Sequence, residues 1–329
     1  MAKKIKKIGV LTSGGDAPGM NAAIRGVVRT AISNDVDVYG IHWGYQGLME
    51  GKIEQMNARD VSGFGSLGGT KLGSARSPEF KTEEGINKAI EYLKAFEIEG
   101  LVVIGGDGSL RGAMDLHNRG IKVVGIPASI DNDIAHTDFS IGSDTALNTI
   151  LDALDKIRDT ASAHYRGFVL EVMGNKNGYL ALTSGTAGGA ELIIVPSTKI
   201  DKDKIIHQIK SAFLRKKSSF IAVCAEGAST PEQNISDLIV SYIKEAGFEC
   251  RKTVLGHVQR GGKPTGRDRI LGNAFGHAAV IQLIKGHSGV MVGDVGNNIE
   301  CTPIPKVCED TKNIKLPKKV LDVIDDLMI

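Results

Sequence analysis

The sequence predicts an α/β protein of about two domains with mainly parallel sheets. Three observations carry this. Short β-branched runs alternate with longer amphipathic segments along the whole chain, the pattern of βαβ units. Several of the short runs, such as Leu101–Ile104 and Val123–Ile126, are apolar with little or no alternation, as strands covered on both faces of a parallel sheet must be. At 329 residues, the chain is about two domains long by the usual ~150 residues per domain.

Taken in order, the expected strands are 6–12, 36–43, 100–105, 121–127, 167–173, 191–195, 219–225, 252–257 and 289–293. The expected helices are 19–33, 83–96, 109–119, 143–161, 178–186, 202–216, 234–246 and 267–286. The segment 143–161 shows the reasoning: Ala146, Ile150, Ala153, Leu154 and Ile157 recur at helical spacing and form one apolar stripe. Strand–helix–strand connections of this kind cross over right-handed.

Composition narrows the function classes. Hydrophobic residues at 42% and charged residues at 24% are ordinary for a globular chain. A net charge of +2 gives no electrostatic basis for binding nucleic acid or a membrane surface. Six Tyr, nine Phe and one Trp are too few for a base-stacking platform. No apolar run approaches the ~20 residues of a membrane helix, and the basic start at Met1–Lys7 leads into a run far too short for a signal peptide. Cys224, Cys250, Cys301 and Cys308 form no CxxC and no zinc spacing, so reduced, mostly buried thiols in a soluble cytoplasmic protein are expected.

Glycine is the anomaly: 41 residues, against roughly 23 at average usage. Many follow predicted strands, as in Gly14-Gly15, Gly105-Gly106 with Gly108, Gly174 and Gly261-Gly262. In open α/β sheets ligands bind beyond the carboxyl ends of strands, and glycine there lets backbone amides close on an anion. Single glycines also simply cap turns, but four such clusters favour a shared anion-binding crevice. The familiar nucleotide loops are absent: there is no GxxxxGK[ST], and GxGxxG fails because Arg111 stands where the third glycine would be.

The pentapeptide Ser129-Ile-Asp131-Asn132-Asp133 directly follows a predicted strand. One carboxylate there can act as general base on a substrate hydroxyl, and a second, with Asp107, can hold a divalent cation. The same residues also read as an Asx-turn. Arg76, Arg166, Arg251 and Arg260 lie in or near strand-end loops, and guanidinium suits phosphate oxygens. Together these groups suit phosphoryl transfer, a chemistry of positioning and charge neutralisation.

Four long motifs, Gly9–Ala23, Gly105–Ser109, Ser129–Asp133 and Gly256–Gly262, together resemble the bacterial 6-phosphofructokinase family, from Ile8 to about Val292. The resemblance implies transfer of the γ-phosphate of ATP to the 1-hydroxyl of fructose 6-phosphate with Mg2+. It implies two doubly wound α/β domains: a larger ATP-binding domain of 1–142 plus 259–309, and a smaller domain of 143–258 plus 310–329. Asp131 then matches the catalytic base, with Ser129, Arg76 and Asp133 beside it, and Asp107 the magnesium-linked carboxylate. Gly15, Arg76, Ser77, Gly106, Asp107, Gly108 and Ser109 match the ATP site. Ser129, Asp131, Met173, Gly174, Asn175, Glu226, His257 and Arg260 match the sugar-phosphate site. Arg166 and Arg251 match residues reaching a neighbouring subunit's substrate, which implies a homotetramer.

Gly108 and Ala128 match the family's ATP users; pyrophosphate users carry Asp and Lys at these places. Arg25, Arg29, Arg158, Gly189, Glu191, Arg215 and Lys217 match the family's effector pocket for ADP or phosphoenolpyruvate, with Glu191 holding a metal on the effector. Three positions depart from the pattern: Asn175 stands where the family usually has Arg, Gly63 replaces an Asp, and Ser218 replaces a basic residue. Alternatives are a pyrophosphate-dependent enzyme, a NAD or lipid kinase sharing Gly-Gly-Asp-Gly, and a catalytically silent sugar-phosphate-binding subunit. The second lacks an explanation for Ser129–Asp133 and Gly256–Gly262, and the third for a retained Asp131.

Overall fold

A computed structural model describes residues 5–312. The chain divides into two compact units, one of residues up to 145 with 260–312, the other of 146–259. Of the tail 310–329 expected in the second domain, 310–312 fall in the first unit and 313–329 lie outside the described residues.

The first unit opens with β1 (Lys7–Ser13), α1 (Met20–Ser33), β2 (Asp37–Ile41), α2 (Gly44–Met49) and β3 (Ile53–Met56). Next come α3 (Glu83–Ala95), β4 (Gly100–Gly105), α4 (Asp107–His117) and β5 (Lys122–Pro127). Helix α5 (Ser143–Ser162) leads into the second unit, which holds β6 (Arg166–Val172), α6 (Tyr179–Ala187), β7 (Leu192–Ile194), α7 (Lys202–Leu214), β8 (Ser219–Ala225), α8 (Ile235–Glu245) and β9 (Cys250–Val254). The chain then returns to the first unit with α9 (Gly266–Ile284), β10 (Val290–Val295), β11 (Asn298–Pro303) and α10 (Ile304–Glu309).

The first sheet runs β11-β10-β5-β4-β1-β2-β3, parallel except for the β2–β3 and β10–β11 pairs at its two edges. The second runs β7-β8-β6-β9 and is parallel throughout. This is the predicted α/β class with mainly parallel sheets. Every residue of β4 and of β8 is buried, as their continuous apolar sequences required. In the first unit Leu11, Leu101, Leu110 and Met291 share one apolar core; in the second Phe220, Ile209 and Ile239 anchor another.

Every helix and strand expected from periodicity is present, most within a residue or two. Helix starts are marked chemically. Thr82, Asp201, Asn234 and Thr265 each accept an amide hydrogen three residues on, capping α3, α7, α8 and α9. The expected strand 252–257 begins earlier, at Cys250, and 256–260 instead forms a 3-10 turn. Four short elements lacked a signal. The edge strands β3 and β11 are largely solvent-facing, so no apolar run marks them. Helix α2 has six residues with two glycines, and α10 six. Both are too short to display a period.

All four cysteines are free thiols. Cys224 and Cys250 are buried, and desolvation pushes each up to about 12. Cys301, on the edge strand β11, is exposed, against the expectation of mostly buried thiols.

Candidate active site

The chain runs from β1 outward to β2 and β3, then returns to the other side of β1 to form β4. The neighbours β1 and β4 therefore flank the switch point of the sheet, where their carboxyl ends splay and a ligand crevice opens. A cavity of about 660 Å³ lies there. Its floor is Ser13–Gly15 after β1 and Gly106, Gly108 and Ser109 after β4. Helix α4 begins at Asp107, so its first-turn amides and the positive end of its dipole lie at this crevice, an arrangement suited to phosphate.

Cationic groups line the cavity: Arg76, Lys81, Arg111 and Arg260. Opposing them are Asp115 and Asp131. An apolar wall is supplied by Tyr45 and Phe80, whose rings stack at 4.0 Å. The buried Tyr45 hydroxyl donates to the Ser109 carbonyl at 2.6 Å, and burial drives its pKa upward, keeping it a donor. Cations, strand-end backbone and an aromatic wall together match a nucleoside polyphosphate.

The loop after β5 brings in Asp131. Ser129 Oγ donates to Asp133 Oδ1 at 2.8 Å and accepts from the Asp131 amide at 3.3 Å. Asp131 itself is 8% exposed and faces the cavity, while Asp133 turns to Ser129 and is not part of the lining. Asn132 takes φ +50, a left-handed conformation Asn tolerates better than most residues, and this sharp turn presents Asp131.

Gly15 lies directly under Arg260. A Cβ at position 15 would come 2.3 Å from Nη1 of Arg260, whose guanidinium lies over the loop and donates to the Asp16 carbonyl at 3.4 Å. At Gly108, by contrast, a Cβ would meet nothing within 4 Å; the space is open and belongs to the cavity. Ala128 also lines it.

Asp107 stands at the first residue of α4, 55% exposed, and pairs with Arg111 Nε at 3.0 Å. No cluster of three or more His, Cys, Asp or Glu able to hold a metal exists among the described residues. One carboxylate beside a phosphate site nevertheless fits Mg2+, which is commonly held by one or two carboxylates, water and substrate phosphates.

The structure thus gathers Gly15, Arg76, Ser77, Gly106, Gly108, Ser109, Ser129, Asp131 and Arg260 around one cavity; Asp107 lies between the lining residues Gly106 and Gly108 but is not itself part of the lining. Of the remaining expected residues in the second unit, Met173 is buried and its amide donates to Gln259 Oε1 at 3.2 Å. Gly174 has φ +137 and Asn175 φ +48. Glu226 and His257 are exposed. Arg166 pairs with Glu249 at 3.0 Å, and Glu249 and Arg251 border a second cavity of about 510 Å³.

The expected effector residues fall into local groups. Arg158 Nη2 donates to the carbonyls of Gly188 and Gly189 at 2.5 and 2.9 Å. Glu191 is buried and accepts from the Ile221 amide at 2.8 Å and from Lys217 Nζ at 3.4 Å. Arg215 donates to Ser211 at 3.0 Å. In the first unit Arg25 donates to Asn273 at 2.7 Å, and Arg29 is exposed. Sequence reasoning missed Tyr45, Phe80, Lys81, Arg111 and Asp115. The first lies on the unpredicted α2, and the others carry no motif of their own.

The phosphofructokinase family profile matches residues 7–283. The chain belongs to the phosphofructokinase family. It is 52% identical over 305 residues to the ATP-dependent 6-phosphofructokinase of Shouchella clausii, covering 93% of this chain and 94% of that protein. It is 50% identical over 311 residues to ATP-dependent 6-phosphofructokinase 1 of Thermus thermophilus, covering 94% and 96%. Among solved structures, phosphofructokinase from Saccharomyces cerevisiae matches with a TM-score of 0.87 and 35% identity over 98% of this chain. This phosphofructokinase chain spans 47% of that yeast chain. A pyrophosphate-dependent phosphofructokinase from Marinobacter aquaeolei matches with a TM-score of 0.85 at 22% identity, covering 98% and 92%, which speaks for a common fold alone.

Proposed function

We propose that the chain phosphorylates the 1-hydroxyl of fructose 6-phosphate with ATP, giving fructose 1,6-bisphosphate and ADP. The observation that carries this is the cavity at the β1–β4 switch point, which brings Asp131, four cations and the open Gly108 together. Gly14, Gly15 and the start of α4 bind the phosphates through backbone, and Arg76 and Lys81 neutralise them. Tyr45 and Phe80 offer the nucleoside an apolar wall. Asp131 accepts the proton of the sugar hydroxyl as that oxygen attacks the γ-phosphorus. Ser129 fixes the Asp131 loop and, with Arg260, orients the acceptor. Met173, Gly174, Asn175, Glu226 and His257 supply the further sugar contacts that the family likeness implies. Mg2+, held by Asp107 and the phosphates, supplies charge neutralisation when bound.

The open space at Gly108 favours ATP over pyrophosphate, because an α-phosphate and nucleoside need the volume that an Asp side chain would occupy. Arg166 and Arg251 fit a homotetramer in which they meet a neighbour's substrate. Arg25, Arg29, Arg158, Gly189, Arg215 and Lys217 fit an ADP or phosphoenolpyruvate effector site. Glu191 is held by the Ile221 amide on one oxygen and faces Lys217 with the other, and each oxygen keeps a lone pair that could meet a metal on the effector. The place of action is the cytoplasm; among the described residues no helix is long and apolar enough to cross a membrane.

The test is Asp131→Asn. Turnover falls about 10³-fold or more while fructose 6-phosphate still binds, as loss of a general base requires. Turnover within tenfold of the parent enzyme would refute the base assignment.

A further inference from the structure

We propose that Lys312 is a positioning residue for Asp131, acting through Asn132. This rests on Asp131 being the base.

The Asn132 side chain is the internal staple of the loop. Its Nδ2 donates to the Asp138 carbonyl at 3.0 Å. Its Oδ1 accepts the Ser140 amide at 2.9 Å. Ser140 Oγ also donates to the Ser129 carbonyl at 2.6 Å. The side chain is 3% exposed and its backbone is left-handed, so the turn next to Asp131 is held by these bonds against its own preference.

Lys312 enters this staple from nearly two hundred residues away in sequence. Its Nζ donates to Asn132 Oδ1 at 2.9 Å and to the Asp138 carbonyl at 3.0 Å, tying together the same two residues that the Asn132 Nδ2–Asp138 hydrogen bond joins. Two residues earlier, Asp310 Oδ2 lies 2.6 Å from His136 Nε2, so the segment after α10 is strapped to the same loop at a second point. The far side of the loop is fixed separately, by Asp138 N to Asp294 O at 2.6 Å and Gly296 N to Asp138 Oδ2 at 2.8 Å. Clamped on both sides, Asn132 has little freedom to rotate, and the Asp131 carboxylate inherits that order. A general base held this way loses rate, not substrate affinity, when its clamp is removed.

The experiment compares Lys312→Met and Lys312→Arg with the parent and with Asp131→Asn. Lys312→Met keeps the apolar stem and loses both donors; kcat is expected to fall about tenfold while KM for ATP changes less than twofold. Lys312→Arg keeps a donor group and is expected within about threefold of parent kcat. Parent-like kcat in Lys312→Met overturns the proposal, as does a Lys312→Arg enzyme no better than Lys312→Met. If Lys312→Met does not fold, Lys312→Gln, too short to span both acceptors, is read by the same criteria. Parent-like Lys312→Met with an inactive Asp131→Asn overturns positioning and leaves the base standing; an active Asp131→Asn overturns both.

Discussion

The guanidinium of Arg260 rests on Gly15, so closely that a Cβ at position 15 would sit 2.3 Å from Nη1. One residue is expected on the ATP side of the reaction and the other on the sugar-phosphate side, so the glycine has a reason beyond phosphate access. Gly15→Ala collides with the far end of a flexible side chain, which can move. Folding stability should therefore change by less than about 1 kcal/mol, while kcat/KM falls about 10–100-fold as Arg260 is displaced. Thermal melts beside steady-state kinetics check this. A large loss of stability, or unchanged kinetics, would contradict it.

Gly108 has the opposite surroundings, with open space where a side chain would go. Gly108→Asp should fold normally and place a carboxylate in the phosphate path. We expect about a 100-fold loss of kcat/KM for ATP from like-charge repulsion. Unchanged ATP kinetics would show that the nucleotide does not pass this point.

Asn175 is left-handed at φ +48, and the Asn175 carbonyl lies 1.8 Å from where a Cβ of Gly227 would be. Asn suits that backbone better than the Arg usual in the family. Asn175→Arg should cost about 1 kcal/mol in stability and raise kcat about tenfold, by adding one charge-assisted hydrogen bond to the transferring phosphate. A kcat that stays level or drops would contradict this.

Lys312 has a pKa lowered to about 8, by burial first, partly offset by Asp138 and Asp133. Unfolded, it titrates near 10.4. Between about pH 8 and 10.4 the unfolded chain therefore binds more protons at this site, and stability rises with pH across that window. Below pH 8 both states are protonated and the contribution is flat. Denaturant melts of parent and Lys312→Met from about pH 7.5 to 10.5 should show the rise in the parent and its loss in the variant.

The larger part of the fold was legible because its central strands are apolar without interruption and its helices keep a period. What escaped was short or solvent-facing: β3, β11, α2 and α10. The glycine excess was legible only in part. Gly15 and Gly108 do belong to the candidate site, but Gly26, Gly272 and Gly276 serve another purpose. Cβ atoms there would come 2.6, 2.8 and 2.4 Å from backbone oxygens of the facing segment, so they let α1 and α9 cross in backbone contact. No local pattern separates such a glycine from a phosphate-binding one. Asp133 illustrates the same limit. Its spacing from Asp131 suggested a shared site, yet the turn at Asn132 sends it to Ser129. Lys312 carries no motif at all, because its partners are distant in sequence.

The most direct test of the central claim is the initial rate with fructose 6-phosphate and Mg2+ when either ATP or pyrophosphate is the sole phosphoryl donor. The account predicts fructose 1,6-bisphosphate formation with ATP and none above background with pyrophosphate. Turnover with pyrophosphate alone, or none with ATP, would contradict it.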